Sequence, residues 1–348
     1  MKRFFRIVTQ SIAKAPQWAL VGALCFLSAG IGAGIEQYIN PPTPRPQIIR
    51  LGKASLINPL LDTDTLDQNQ YTEFNLIKQK VADLIKKEIH AQRVTAVSVY
   101  FRGMNYNRWF GINENEKFAP ASLLKVPVMI AVFRAAESDP HILTTRLIFQ
   151  GPDTNTEETF RPAERMSIGR EYTVNDLVHR MIVYSDNNAL FLILAHLNDE
   201  VLNRTFTDLG VPIPNPQDNV NDIMSVRTYS SFFRILYNAT YLSRTLSDKA
   251  LEYLSQTDFS IGLFAGVPPS VTLAHKFGEC SVTSVLNSGE ISRRELHDCG
   301  IVYHPKHPYF LCVATRGNNY TQLAEAIAHI SIMIYQWADT NYPSPPIP

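Results

Sequence analysis

Strand-like alternation lies at both ends of a long stretch of this chain, and helical periodicity fills the middle. That order restricts the fold more than any other feature. TAVSVYFRG (95–103) alternates as a strand, and RWFGINENEKF (108–118) reads as its hairpin partner. Two strands alone are marginal in water. The next strand-like segments, VTLAHKFG, LHDCGIVY and YFLCVATRG, come only after Ser270, with HPKHP as the turn between the last two. The pattern therefore predicts one antiparallel five-stranded sheet assembled from both ends of the domain. Ile77, Val81, Leu84, Ile85 and Ile89 predict a helix near 74–90, and Leu323, Ile327, Ile330, Ile334 and Trp337 predict another at about 321–339. The fold class is α/β (α+β), with terminal helices flanking the sheet.

The intervening PASLLKVPVMIAVFRAAE, 173–184, 187–198 and 226–242 read as helices of an inserted subdomain over about 120–268. Thr173 and Asp176 make a capping-box-like start, and Ser225 can cap the last of these helices. A cleft between sheet and helical block is the natural place for a site.

Charge divides the chain further. Lys+Arg and Asp+Glu each number 32. Residues 1–40 hold Lys2, Arg3, Arg6 and Lys14 against Glu36, a sum of +3, so the remainder sums to −3. The basic residues precede an uncharged run from Ala15 to Ile35, long enough to span a bilayer core of about 30 Å. A cleaved signal peptide would have a shorter apolar core and a small-residue cleavage site, and Leu24 before Cys25 does not suit a lipoprotein signal. An uncleaved signal anchor fits best: 1–17 cytoplasmic, 18–36 across the membrane, 37–73 an extended proline-bearing linker, 74–341 an external domain and 342–348 a proline-rich tail. The zero net charge gives no support for a nucleic-acid binder.

Three short motifs carry chemistry. Ser122-Leu123-Leu124-Lys125 opens the first helix of the block, and a spacing of three puts Ser122 and Lys125 on one face. A serine hydroxyl is a weak nucleophile, and a lysine can activate it when burial or a second cation lowers its pKa. Tyr184-Ser185-Asp186-Asn187-Asn188 joins two helices, and Lys276-Phe277-Gly278 lies on a strand. Alone, each also suits an ordinary cap, turn or strand. Together, in the contexts PASLLKVPV, MIVYSDNNA and AHKFGE, they resemble the SxxK, SDN and KTG set of class A beta-lactamases and penicillin-binding proteins. The resemblance covers about residues 74 to 340.

That resemblance implies a beta-lactamase-like serine hydrolase that needs no metal or cofactor. Its substrate would be a beta-lactam or a peptidoglycan-peptide-like molecule, and the domain would be monomeric. Ser122 would attack the carbonyl, with Lys125 as base or relay. Ser185 would pass a proton to the leaving nitrogen, and Asn187 would hold Lys125 and the substrate amide. Lys276 would supply positive potential. Gly278 and Phe277 would line the substrate-binding strand, and the backbone N–H groups of Ser122 and Glu279 would form the oxyanion hole.

Two departures stand out. The family's deacylating glutamate is missing from FTDLGVPIPNPQDNVNDIM (206–224), where Asp208, Asp218 and Asp222 are the only carboxylates. Without such a base an acyl-enzyme should hydrolyse slowly, and the alternative is then a penicillin-binding D,D-peptidase-like enzyme or a catalytically weak cell-wall-peptide binding protein. Phe277 replaces the usual threonine, and Glu279 follows Gly278. Either Glu279 points into the cleft and repels a substrate carboxylate, or strand alternation turns Phe277 and Glu279 away from it.

Cys280, Cys299 and Cys312 all fall among the strands, so one disulfide with a thiol left over is plausible outside the cell, and free core cysteines are the alternative. Residues 281–296 lengthen the connection between two strands, as a cleft cover or a surface loop. Pro127, inside the nucleophile helix, is expected to loosen its first turns.

Overall fold

The computed structural model describes residues 74–341 apart from 106–107, 156–157, 212–221 and 287–288, and at 282–286, 289–292 and 341 the backbone alone. The segments read as cytoplasmic, anchor, linker and tail, and Asp218, lie outside the described residues. Among the described residues no helix is long and apolar enough to cross a membrane.

The domain opens with α1 (Asn75–His90), followed by β1 (Ala96–Gly103) and β2 (Trp109–Ile112). After β3 (Lys117–Phe118), a 3-10 turn (Ala121–Leu124) leads into α2 (Lys125–Ser138). The ribbon of β4 (Arg146–Ile148) and β5 (Glu171–Thr173) precedes α3 (Val174–Val183), α4 (Asn187–Leu194) and α5 (Asp199–Asp208). Then come β6 (Met224–Ser225), α6 (Val226–Tyr237) and α7 (Arg244–Ser255). β7 (Leu273–Leu286), β8 (Gly289–Val302), β9 (Tyr309–Gly317) and α8 (Tyr320–Asn341) complete it. The sheet order is β2-β1-β9-β8-β7, antiparallel throughout, so the early hairpin and the late strands do form one sheet.

Strand alternation divides the core in two. Val97, Val99 and Phe101 of β1 pack with Ile77, Val81 and Ile85 of α1 and with Leu323, Ile327, Ile330, Ile334 and Trp337 of α8. Tyr100 of the same strand faces the other cluster, with Phe310, Cys312 and the helices α2, α3 and α6. The terminal helices thus cover one face of the sheet and the helical block covers the other.

Several local expectations change. β2 stops at Ile112 because Asn113 turns left-handed, φ 51°, and Lys117–Phe118 leaves to pair with β6. The 281–296 connection is no separate loop: β7 and β8 run on as a long two-stranded arm. α5 and α7 went unread. Pro127 is the third residue of α2, in the first turn, where N–H groups have no intrahelical partner. It starts the helix without loosening it. Thr173 does form the capping box with Asp176, and Ser225 Oγ accepts from Thr228 N. Cys299 and Cys312, opposite one another in the β8–β9 register, form a disulfide, and Cys280 is a free thiol.

Candidate active site

The site forms where three locally unusual pieces of backbone meet. The first is the turn carrying Ser122. It follows Ala121, which holds a left-handed φ of 47°. Upstream, both polar groups of Ala119 are fixed by β8: its N–H donates to Glu295 Oε2 at 3.1 Å, and its carbonyl meets His297 Nε2 at 2.9 Å. Tyr229 Oη of α6 donates to Leu123 O at 3.1 Å. The second piece is Ser185, left-handed at φ 56°, between the end of α3 and Asp186, which caps α4 by accepting from Asn188 N. Such conformations cost about 1–3 kcal/mol each and persist where surrounding bonds impose them. The third is β7 at Gly278. A Cβ there would lie 2.9 Å from Pro120 O and 3.1 Å from Leu123 N, so glycine lets the strand close on the serine's turn.

Side chains converge from all three. Lys125 Nζ lies 2.9 Å from Ser122 Oγ, 3.1 Å from Ser185 Oγ, 2.6 Å from Ser185 O and 2.7 Å from Asn187 Oδ1. Those are four oxygens, and an ammonium has three protons. In its neutral form the amine keeps two protons to donate and a lone pair that can take the Ser122 hydroxyl proton. Lys125 is 1% exposed, and burial brings its pKa down to about 8 against the pull of Glu158, Asp186 and Glu279. Lys276 is 0% exposed and donates to Ser185 Oγ at 2.9 Å and Phe277 O at 3.0 Å. Burial first, and then Lys125, hold it well below the ordinary lysine range. Ser185 Oγ therefore bridges two buried amines, as a proton relay requires.

Gly278→Ala is expected to push β7 off the nucleophile turn. A displacement of about 1 Å can cost about 10²-fold in rate. Labelling kinetics of Ser122, read beside the melting temperature, measure that loss.

This geometry places a serine hydroxyl beside a buried lysine amine, and it agrees with a family model: the beta-lactamase enzyme family model matches residues 77–338. The chain belongs to that family. Among curated relatives, beta-lactamase CTX-M-97 of Escherichia coli is 27% identical over 181 residues, which are 47% of this chain and 60% of that protein. Beta-lactamase CTX-M-8 of Citrobacter amalonaticus is 24% identical over 225 residues, 60% of this chain and 73% of that protein. The chain thus spans only about three fifths of the first of these relatives. In fold it is similar to PBP-A, with TM-score 0.62, 23% identity and coverage of 76% of this chain and 96% of PBP-A. It is equally similar to the class A beta-lactamase of Mycobacterium abscessus, with TM-score 0.62, 19% identity and coverage of 76% and 100%.

Against the family pattern, both departures acquire a place in space. The Phe277 ring is 3% exposed and stacks on Phe259 at 4.0 Å, so only its carbonyl serves the site. Glu279 is only partly buried. Its Oε1 accepts from Phe160 N at 2.7 Å and its Oε2 from Thr159 N at 3.2 Å, so it grips the segment between β4 and β5. Burial, opposed by those N–H groups and reinforced by Glu158, raises its pKa. Asp208 and Asp222, the described carboxylates of the 206–224 segment, have partners of their own. Asp208 accepts from Tyr241 Oη at 2.9 Å, and Asp222 pairs with Arg293 and Arg316.

Sequence reasoning missed Glu158. Its Oε1 accepts from Asn187 Nδ2 at 2.6 Å. Asn155, upstream of it, receives Asn187 N and donates to Asp186 Oδ1 at 2.8 and 2.9 Å. The segment NTEETF has no periodicity to place it, and only the fold brings it onto the second motif.

Proposed function

We propose that the protein is a serine hydrolase that is acylated at Ser122 by beta-lactams and releases the acyl group slowly. The observation that carries this reading is the Lys125 amine within reach of Ser122, Ser185 and Asn187, with Lys276 beyond Ser185. Neutral Lys125 takes the hydroxyl proton as Ser122 Oγ bonds to the carbonyl carbon. The amide C–N bond then breaks, and Ser185 delivers a proton to the leaving nitrogen. The backbone N–H groups of Ser122 and Glu279 face the developing oxyanion, a contribution of several kcal/mol where such pairs are preorganised.

Slow release follows from the carboxylates. The 206–224 segment holds no glutamate, and Asp208 and Asp222 are engaged elsewhere. A point mutant of PBP-A is known as an acyl-enzyme complex with penicillin G, which supports the same kind of intermediate here. The reading places the domain outside the membrane, held by the 18–36 segment. The Cys299–Cys312 disulfide suits an oxidising compartment.

The test uses the full chain and Ser122→Ala with a fluorescent penicillin and a chromogenic cephalosporin. Stable labelling of the wild type, lost in Ser122→Ala, with little cephalosporin turnover is the expected result. Rapid turnover lost in the variant would make it an efficient lactamase. Absence of both would overturn the beta-lactam reading.

A further inference from the structure

The turn that carries Ser122 rests on β7 and β8, and the two strands hold it in different ways. In their register Gly278 stands directly opposite His297. Gly278 has no side chain, and the backbone at Pro120 and Leu123 comes close to it. Its neighbour on β8 reaches across instead: His297 Nε2 lies 2.9 Å from Ala119 O. A carbonyl can only accept, so Nε2 carries the proton in this bond. The same nitrogen lies 3.4 Å from Glu295 Oε2, and Nδ1 has no hydrogen-bond partner among the described residues. The polar contacts of this imidazole thus all lie on its Nε2 side. Glu295, on the same face of β8, accepts from Ala119 N at 3.1 Å. Both side chains are fully buried.

The held residue stands just upstream of a strained one. Ala121 keeps its left-handed φ of 47° between Ala119 and Ser122, and beyond the serine Tyr229 Oη donates to Leu123 O at 3.1 Å. A residue in that region persists where its surroundings impose it, and here the chain is tethered on both sides. β8 pairs with β7, which carries Lys276 and the Glu279 N–H, so the clamp places Ser122 in the frame of the groups it works with. We propose that His297 is a positioning residue for Ser122, acting through the Ala119 carbonyl and not on the substrate. This rests on the acylation reading above.

The test compares the full-length wild type with His297→Gln, His297→Asn and His297→Phe. Acylation by benzylpenicillin is followed by intact-protein mass at several concentrations, which separates the limiting rate from the half-saturating concentration. Melting temperatures are read beside it. A glutamine amide can reach the Ala119 carbonyl, an asparagine amide falls short of it, and phenylalanine has no donor. Glu295 still holds the Ala119 N–H, so the shift is smaller than the displacement of about 1 Å that costs about 10²-fold, and the limiting rate is expected to fall about tenfold in the asparagine and phenylalanine variants. The glutamine variant is expected to keep the wild-type rate, and the half-saturating concentration to stay the same throughout. If the phenylalanine variant does not fold, the glutamine and asparagine pair carries the test. A merely structural His297 would lower the melting temperature and leave the limiting rate alone. An unchanged limiting rate in the asparagine and phenylalanine variants, or a fall shared equally by glutamine, overturns the proposal and leaves acylation standing. No mass gain in the wild type overturns the acylation reading, and the proposal with it.

Discussion

Lys125→Met lowers the rate of acylation at Ser122 about a thousandfold, within the range of about 10²–10⁴ for loss of a general base. Methionine fills similar space, so packing around a side chain 1% exposed is retained. Ser185 O and Asn187 Oδ1 each lose a donor. A buried acceptor left so costs about 1–3 kcal/mol, against a typical domain stability of about 5–15 kcal/mol, so the variant folds and the loss is chemical. The pH profile makes the assignment specific. Only the neutral amine can take the serine proton, and burial sets the pKa of Lys125 at about 8. Wild-type acylation should therefore rise with pH and reach half its limit near that value, while the residual rate of Lys125→Met shows no such step. Labelling rates from about pH 6 to about pH 9.5 decide it. A flat wild-type profile would remove Lys125 as the base.

Arg316→Ala should lower stability by about 1.5–3 kcal/mol, the cost of losing charged hydrogen bonds to a buried carboxylate that still keeps Arg293 at 2.9 Å. Arg316 Nε donates to Glu295 Oε1 at 2.8 Å, Nη1 to Glu116 Oε1 at 2.5 Å and Nη2 to Asp222 Oδ2 at 3.0 Å. It also donates to Lys117 O, and its guanidinium lies over the Phe118 ring at 4.1 Å. Glu295 is fully buried. Burial alone would raise its pKa, but His297 and Arg316 prevail and hold it down at about 2. A depressed carboxylate pKa stabilises the fold above the unfolded value of about 4.3 and loses that contribution as pH falls toward about 2. Urea denaturation at neutral and acid pH should show the wild type losing stability across that window, and Arg316→Ala losing less because its Glu295 keeps only Arg293 and His297. A variant as stable as wild type at neutral pH would refute the assignment.

Backbone pattern was legible wherever it was periodic and self-contained. The β1 alternation, the apolar face of α8 and the Thr173 and Ser225 caps depend on residues within a few positions of one another, so sequence shows them. The same holds for Ser122 with Lys125, one turn apart. What brings Lys276 to Ser185 is the closure of β7 on the Ser122 turn, permitted by Gly278 and visible only in three dimensions. Glu279 was read as facing or leaving the cleft, and the third choice, gripping Thr159 and Phe160, needed a segment with no pattern of its own. Glu158 was illegible for the same reason. Pro127 was misjudged by position: one turn farther along α2 it would break a helical bond, but where it stands it breaks none.

The sheet order carries a consequence for synthesis. β9 is the strand that joins β1 to β8, and it is the last strand made. Until it leaves the ribosome, the β1–β2 hairpin and the β7–β8 arm each expose an unpaired edge, and unpaired edges are where chains associate wrongly. The candidate site therefore waits on a strand that contributes no residue to it. The Cys299–Cys312 bond across β8 and β9 fastens this junction, so its closure belongs to the end of folding, after the chain has emerged.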